Sequence, residues 1–463
     1  MSDLVGAEGG RFARVAEVVG DPASLRVYEH GWQSWSPAGV YPATGTSPRP
    51  VRELWQTMAF RPERPAPATG FQGEGVLGVG SDEGGWRVFV AADPTRAVAS
   101  VRASAAGDRV LVAADAPVIE VGAATLDAAL AAAAAHLAPG GPTPRARAGI
   151  GPGWCSYAGY GLEVTEADVL ANLEAMERLD LPFRVVQVDD GYEREIGAWT
   201  ETSPRFGPMR DVAARIRDVG REAGIWTAPF CVASDARLAV EHPDWLVEGA
   251  LASPAHWGRP VRVLDVTHPD AAAHLVDTFR TLREWGFTYH KVDFVYAGAM
   301  EGGRHEAVSG VEAYRLAMGL VREALGPDAT ILGCGAPLVA SVGLVDAMRV
   351  SPDIDERDEH ESGDISQPSV RGALSAGRAR AWMHGRLWVN DPDCLVLSPT
   401  QARRDEWTAH VEAMGGLVCS GDRLPDLDDA GLEELRGALR PSGLAPLAWD
   451  PEAGPDGGLI RSA

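Results

Sequence analysis

Between about residues 12 and 121, hydrophobic positions come in short β-branched or apolar runs, 24–28, 75–79, 86–90 and 109–113, separated by Gly, Pro and Asp. Runs this short, closed by turn formers, suit half-buried strands, and they predict an all-β sandwich over residues 1–124. An Ala-rich segment, 125–137, reads as a helix, and the Pro/Gly stretch 139–144 behind it reads as a linker, so that 125–148 joins two units.

Beyond residue 148 the rhythm changes. Apolar runs ending in polar residues, at 150–155, 184–188, 224–229, 289–294, 330–334, 347–350, 387–389 and 417–419, predict eight strands. Between them, 166–178, 209–222, 271–285, 311–325 and 403–414 carry apolar residues at three- and four-residue steps, which predicts helices. This alternation gives an α/β fold class for 149–440: a (β/α)8 TIM barrel with its chemistry on the C-terminal ends of the strands. The connection 335–346 has room for at most a short helix. The segment 231–265 is longer than an ordinary connection and is expected to build an insert over the mouth. Residues 441–463, rich in Gly, Pro and Asp, are expected to form a short tail.

At 463 residues the chain has the length for two cores. Its formal net charge of -23 opposes nucleic acid and anionic lipid and favours a neutral or cationic partner. The five cysteines, Cys155, Cys231, Cys334, Cys394 and Cys419, show no C-x-x-C pair and no zinc spacing, so they read as reduced thiols. No export signal or apolar span is visible. The expectation is a cytoplasmic protein with neither a nucleic-acid nor a membrane partner, and association into a homo-oligomer stays open.

The predicted strand ends gather polar residues: Asp189 and Asp190, Lys291 and Asp293, Cys334, Arg349 and Asp353, then Asp391 and Asp393. Side chains at i and i+2 of a strand share a face, so Lys291 and Asp293 point together into the mouth. The ammonium favours charge on Asp293, as a nucleophile requires. Asp353 follows Ser351-Pro352 in a looser segment that suits a group trading a proton, and two such carboxylates are the equipment of a glycosidase. Asp189 and Asp190 are placed to accept from sugar hydroxyls. Trp154, Tyr157, Trp199, Trp226 and Trp257 offer flat apolar faces to a pyranose. Plainer roles fit the same residues: a helix cap or ion pair for a strand-end Asp, core for Trp199 and Trp226, a buried small hydrophobe for Cys334, an Asx turn for Asp391–Asp393. A metal-dependent lyase with Asp189, Asp293 and Asp353 as ligands, and a sugar-binding protein without turnover, remain open.

Several motifs occur together and in order: Gly153-Trp154-Cys155-Ser156, Val188-Asp189-Asp190-Gly191-Tyr192, Gly224-Ile225-Trp226, Lys291-Val292-Asp293-Phe294, Gly333-Cys334-Gly335, Met348-Arg349 with Pro352-Asp353, and Asn390-Asp391-Pro392-Asp393-Cys394. This set, over roughly 151–421, resembles the melibiase-type α-galactosidases of glycoside hydrolase family 36, and Gly31–Ser36 extends the likeness more loosely. The resemblance implies a retaining exo-glycosidase that releases terminal α-galactose from oligosaccharides such as melibiose or raffinose without a cofactor. By position it implies Asp293 as nucleophile and Asp353 as acid/base, Asp189 and Asp190 on the sugar's 4- and 6-hydroxyls, and Lys291 and Arg349 as orienting cations. It implies Cys334 and Trp257 as pocket lining, and Trp226 and Asp393 fall beside them as substrate contacts. Trp32 or Trp35 would reach over the pocket or serve as core. Tyr157 stands where the family usually has Trp, which keeps α-N-acetylgalactosaminides, β-L-arabinopyranosides and transfer to a sugar acceptor in play.

Overall fold

The computed structural model describes residues 12–52, 57–439, 447–449 and 459–461. Nine strands form first: β1 (Ala13–Val19), β2 (Arg26–Glu29), β3 (Gly39–Pro42), β4 (Phe71–Glu74), β5 (Val76–Ser81), β6 (Gly85–Ala91), β7 (Ser100–Ala106), β8 (Arg109–Ala114) and β9 (Val118–Ala123). They pair antiparallel into two sheets, ordered β1-β8-β7-β4 and β3-β2-β5-β6-β9. The alternate side chains Val27, Leu77, Val79 and Phe89 of one sheet and Phe71, Val101, Val110 and Val112 of the other meet in one apolar cluster. Helix Leu126–Leu137 follows, its first turn closed by the Thr125 side chain accepting the Ala128 N–H, and packs on β6 and β9.

The second unit holds eight parallel strands: β10 (Gly153–Cys155), β11 (Val185–Val188), β12 (Glu222–Thr227), β16 (Phe287–Val292), β17 (Thr330–Gly333), β18 (Ala347–Arg349), β19 (Val389–Asp391) and β20 (Cys419–Ser420). Three more, β13 (Cys231–Ala233), β14 (Leu246–Ser253) and β15 (Val261–Leu264), form a separate antiparallel sheet within the expected insert. The parallel strands run in sequence order from β10 to β19, with β20 against β10. A hydrogen bond from the Leu417 N–H to the Asn390 carbonyl, 2.8 Å, links the two ends of the sheet. The curled sheet with its flanking helices resembles a (β/α)8 barrel. All eight strand expectations overlap observed strands; the first starts three residues later than expected, the third and fourth two residues earlier, and each of the last two starts two residues later.

The helices follow their caps. Glu166–Arg178 and Gly310–Leu325 each begin at a reciprocal capping box, Thr165 with Asp168 and Ser309 with Glu312. The helix expected over 209–222 ends at Asp218, because Gly220 turns the chain at φ +78° and β12 starts at Glu222. The connection 335–346 holds only the 3₁₀ turn Val339–Ser341. Of the expected linker, Pro144–Arg147 is a single helical turn that seats Ala146 among Val185, Ala347 and Val389, at the N-terminal ends of their strands. The expected tail lies outside the described residues except for the paired strands Leu447–Trp449 and Leu459–Arg461.

The two units are fastened through the loop Gly31–Ser36. Arg380, wholly buried, donates to the carbonyls of Ser34 (2.7 Å), Ser36 (2.7 Å), Gln33 (3.3 Å) and, in the barrel, Val350 (2.8 Å). The Leu338 N–H donates to the Trp32 carbonyl at 3.0 Å.

Candidate active site

The C-terminal ends of the strands open into a cavity of about 840 Å³. Asp293, immediately after β16, points into it with a carboxylate that accepts from Trp226 Nε1 (3.1 Å) and from the Phe294 N–H (2.7 Å). Phe294 makes that second bond from left-handed backbone, φ 51°. Lys291 Nζ lies 3.9 Å from Asp293 and 2.9 Å from Asp189, so the two residues do share a face. Burial opposes the Lys291 charge, but the anionic groups around it outweigh burial and hold its pKa well above the ordinary value. The ammonium therefore stands between Asp189 and Asp293. Among the described residues no group of three or more His, Cys, Asp or Glu is arranged to hold a metal ion.

Asp353 has different surroundings. Its side chain is 36 % exposed against 8 % for Asp293, and it accepts from Arg349 Nη1 at 2.9 Å. Burial raises its pKa, the Arg349 guanidinium works against that, and the nearby Asp293 charge adds to it. Arg349 also reaches Asp391 (3.1 Å) and Asp393 (2.8 Å), so one guanidinium serves three carboxylates. Asp393, at φ 95°, accepts from the Ile354 N–H (2.7 Å) and thereby ties the segment after Asp353 to the end of β19. Burial lifts Asp393 to about 7, opposed by Arg349 and reinforced by Asp353 and Asp391. The Asp393 N–H donates to Asp391 Oδ1 in the expected Asx turn, and Asp393 also lines the cavity.

The adjacent aspartates divide. Asp189 is saturated by Lys291, the Gln187 amide, the Cys155 thiol (3.2 Å) and the Asp190 N–H (2.9 Å), so it anchors the Lys291 ammonium. Asp190 receives Trp257 Nε1 at 2.8 Å on one oxygen, while the other, Oδ1, is buried with no donor from the chain. Burial first and then the Glu193 carboxylate push the pKa of Asp190 well up.

Tyr157 stands on the cavity wall, 41 % exposed, and Trp226 stands behind Asp293, edge-on to Trp257 at 6.3 Å. Trp257 comes from the insert. Cys334, immediately after β17, is completely buried close to Asp293, Arg349 and Lys291 and is not part of the cavity's exposed lining. Trp154 and Trp199 are likewise core, Trp154 donating to the Asp422 carbonyl and Trp199 packed edge-on against Trp226. Of the two N-terminal candidates, Trp35 lines the cavity against Phe294 (5.0 Å), and Trp32 instead carries the Arg61 guanidinium on its ring.

Residues that sequence reasoning did not single out complete the wall. His256, held down to about 4 by burial against the pull of Asp293, packs on Phe294 at 4.8 Å. Segment 354–357 and Gln401 form the side beyond Asp353. The thiols of Cys155, Cys394 and Cys419, distant in sequence, pack together beneath Asp189, and all five cysteines are free.

A family model for melibiase matches residues 169–322, a span that contains Asp189, Asp190, Lys291 and Asp293. An α-galactosidase from Thermus thermophilus, solved in complex with stachyose, is 29 % identical and superposes with a TM-score of 0.78 over 93 % of both chains. Over residues 169–322 the chain is similar to the melibiase family. The chain is also 27 % identical over 123 residues to the α-galactosidase AgaA of Geobacillus stearothermophilus, and 26 % identical over 156 residues to the myogenesis-regulating glycosidase of Mus musculus. Those stretches span 17 % and 22 % of the two relatives' own lengths. The structure of AgaA, a family 36 enzyme 12 % identical to this chain, shares the fold with a TM-score of 0.62 over 93 % of this chain and 63 % of its own.

Proposed function

We propose that this protein hydrolyses terminal, non-reducing α-D-galactosides with retention of anomeric configuration. The observation that carries the reading is one cavity holding two carboxylates in opposite conditions. Asp293 is buried and fixed by two N–H donors beside an ammonium; Asp353 is more exposed, with its pKa raised. Asp293 attacks the anomeric carbon while Asp353 gives its proton to the departing oxygen, after which Asp353 draws a proton from water to release the sugar. Arg349 orients Asp353. Asp190, with an acceptor that the chain leaves empty, takes a sugar hydroxyl, and Trp35, Trp226, Trp257 and Tyr157 border the ring. Asp189 acts through Lys291. The family's relatives solved with stachyose and with p-nitrophenyl α-D-galactopyranoside support an oligosaccharide substrate.

The remaining assignments belong to the same reading. The shared core of the two N-terminal sheets supports reading 1–124 as a sandwich, joined through 125–148 to a barrel over 149–440, and the free thiols fit a cytosolic enzyme. No described helix is long and apolar enough to cross a membrane.

Proton NMR of the first sugar released from p-nitrophenyl α-D-galactopyranoside should show the α-anomer. Asp293→Ala should lose turnover by at least about 10⁴-fold, with azide restoring part of it as β-galactosyl azide. First-formed β-galactose, or turnover that survives the substitution, would overturn the assignment.

A further inference from the structure

A general acid must touch the oxygen that leaves, so whatever packs beyond Asp353, away from Asp293, flanks the leaving group. Beyond Asp353 the chain runs along the cavity wall through Ile354, Asp355 and Glu356. The turn 398–402 holds it there: the Ala402 N–H donates to the Glu356 carbonyl (2.9 Å), and Thr400 Oγ1 donates to the Glu356 carboxylate (2.9 Å). Between those two residues sits Gln401, a cavity-lining side chain only 5 % exposed.

The Gln401 amide can stand only one way round. Its Nε2 donates to the Asp355 carbonyl (2.8 Å) and the Ala402 carbonyl (3.4 Å), and turning the amide over would set its oxygen against both of those oxygens. The orientation leaves Oε1 buried with no donor from the chain. A buried acceptor without a donor is unfavourable unless something else supplies one. Asp190 Oδ1 is in the same condition, and both residues line the one cavity, Asp190 beside Trp257 and Gln401 against the backbone that follows Asp353.

We propose that Gln401 Oε1 accepts a hydrogen bond from a hydroxyl of the leaving group and thereby selects a sugar over an apolar alcohol as aglycone. The proposal rests on Asp353 being the acid. The amide is rigid because its other end is anchored, so it recognises a hydroxyl at a set place in the aglycone, where a mobile side chain would accept many.

Three substrates separate this role from mere support of Asp353. Galactosyl fluoride needs neither acid nor aglycone contact, methyl α-D-galactoside needs the acid only, and melibiose needs both. In Gln401→Leu and Gln401→Met the ratio of kcat/KM for melibiose to that for methyl galactoside should fall about three- to tenfold, the worth of one neutral hydrogen bond. That ratio is unaffected by the fraction of protein that folds. Melibiose and methyl galactoside falling together, with fluoride spared, would make Gln401 a positioning residue for Asp353 and sink the proposal, as would an unchanged ratio. An unaltered protein that turns over none of the three fails the activity reading itself and the proposal with it.

Discussion

Arg349 shows how much of the chemistry rests on single side chains. Its guanidinium holds Asp353, Asp391 and Asp393 within 3.1 Å and is itself almost wholly buried. It opposes the rise in the pKa of Asp353, so removing it lets that pKa climb further. Arg349→Met should lower kcat/KM about 10- to 100-fold by releasing the acid from its position. The alkaline limb of the pH profile of kcat/KM should move upward, because a higher pKa keeps the general acid protonated to higher pH. A limb that stays in place or moves down would mean that Asp353 is not the titrating acid. Residue types and spacing made Asp293, Asp353, Lys291 and Arg349 legible, since all four lie on or just beyond strand ends. Gln401 and His256 carried no such signal: one lies in a turn and the other in the insert, and only folding brings them to the cavity.

The strands were the most legible elements, because most barrel strands are buried on both faces and read as short, largely apolar runs. The N-terminal sheets add an electrostatic feature that alternation alone does not show. Glu29, on β2, accepts from the Ser47 hydroxyl (2.6 Å) and the Gln72 N–H (2.9 Å); Glu74, on β4, accepts from Ser100 (2.7 Å) and the Gln72 amide (2.9 Å). Burial is the main cause that lifts each from 4.5 to about 7, with Arg49 opposing it at Glu29 and Arg61 at Glu74. Between those values the folded chain binds more protons than the unfolded one, so these groups stabilise the fold at pH 5 and the contribution is lost as pH rises through 7. Thermal melting followed from pH 5 to 8 should show a fall in Tm that the double variant Glu29→Gln, Glu74→Gln reduces. An identical slope in the variant would show that neither glutamate is the group being titrated.

Taken whole, the molecule depends on the joint between its two units. Arg380 spends its guanidinium on four backbone carbonyls, three of them in the loop that carries Trp35 to the cavity, and burial draws its pKa down to about 10. Arg380→Met would leave those carbonyls unpaired and should cost at least about 3 kcal/mol in urea-induced unfolding, with kcat/KM falling as Trp35 is released. A variant with unchanged unfolding and unchanged activity would show the joint to be held by other contacts. Periodicity and turn residues determined the two units, the order of the strands and which polar residues end them, because those depend on neighbours along the chain. Only the tertiary structure decided that Asp189 pairs with Lys291 while Asp190 keeps an empty acceptor, that Cys334 is completely buried, that three distant thiols meet, and that Trp35, not Trp32, faces the cavity. Each of those outcomes turns on distances between segments far apart in sequence, and such distances are set by packing, which no local pattern encodes.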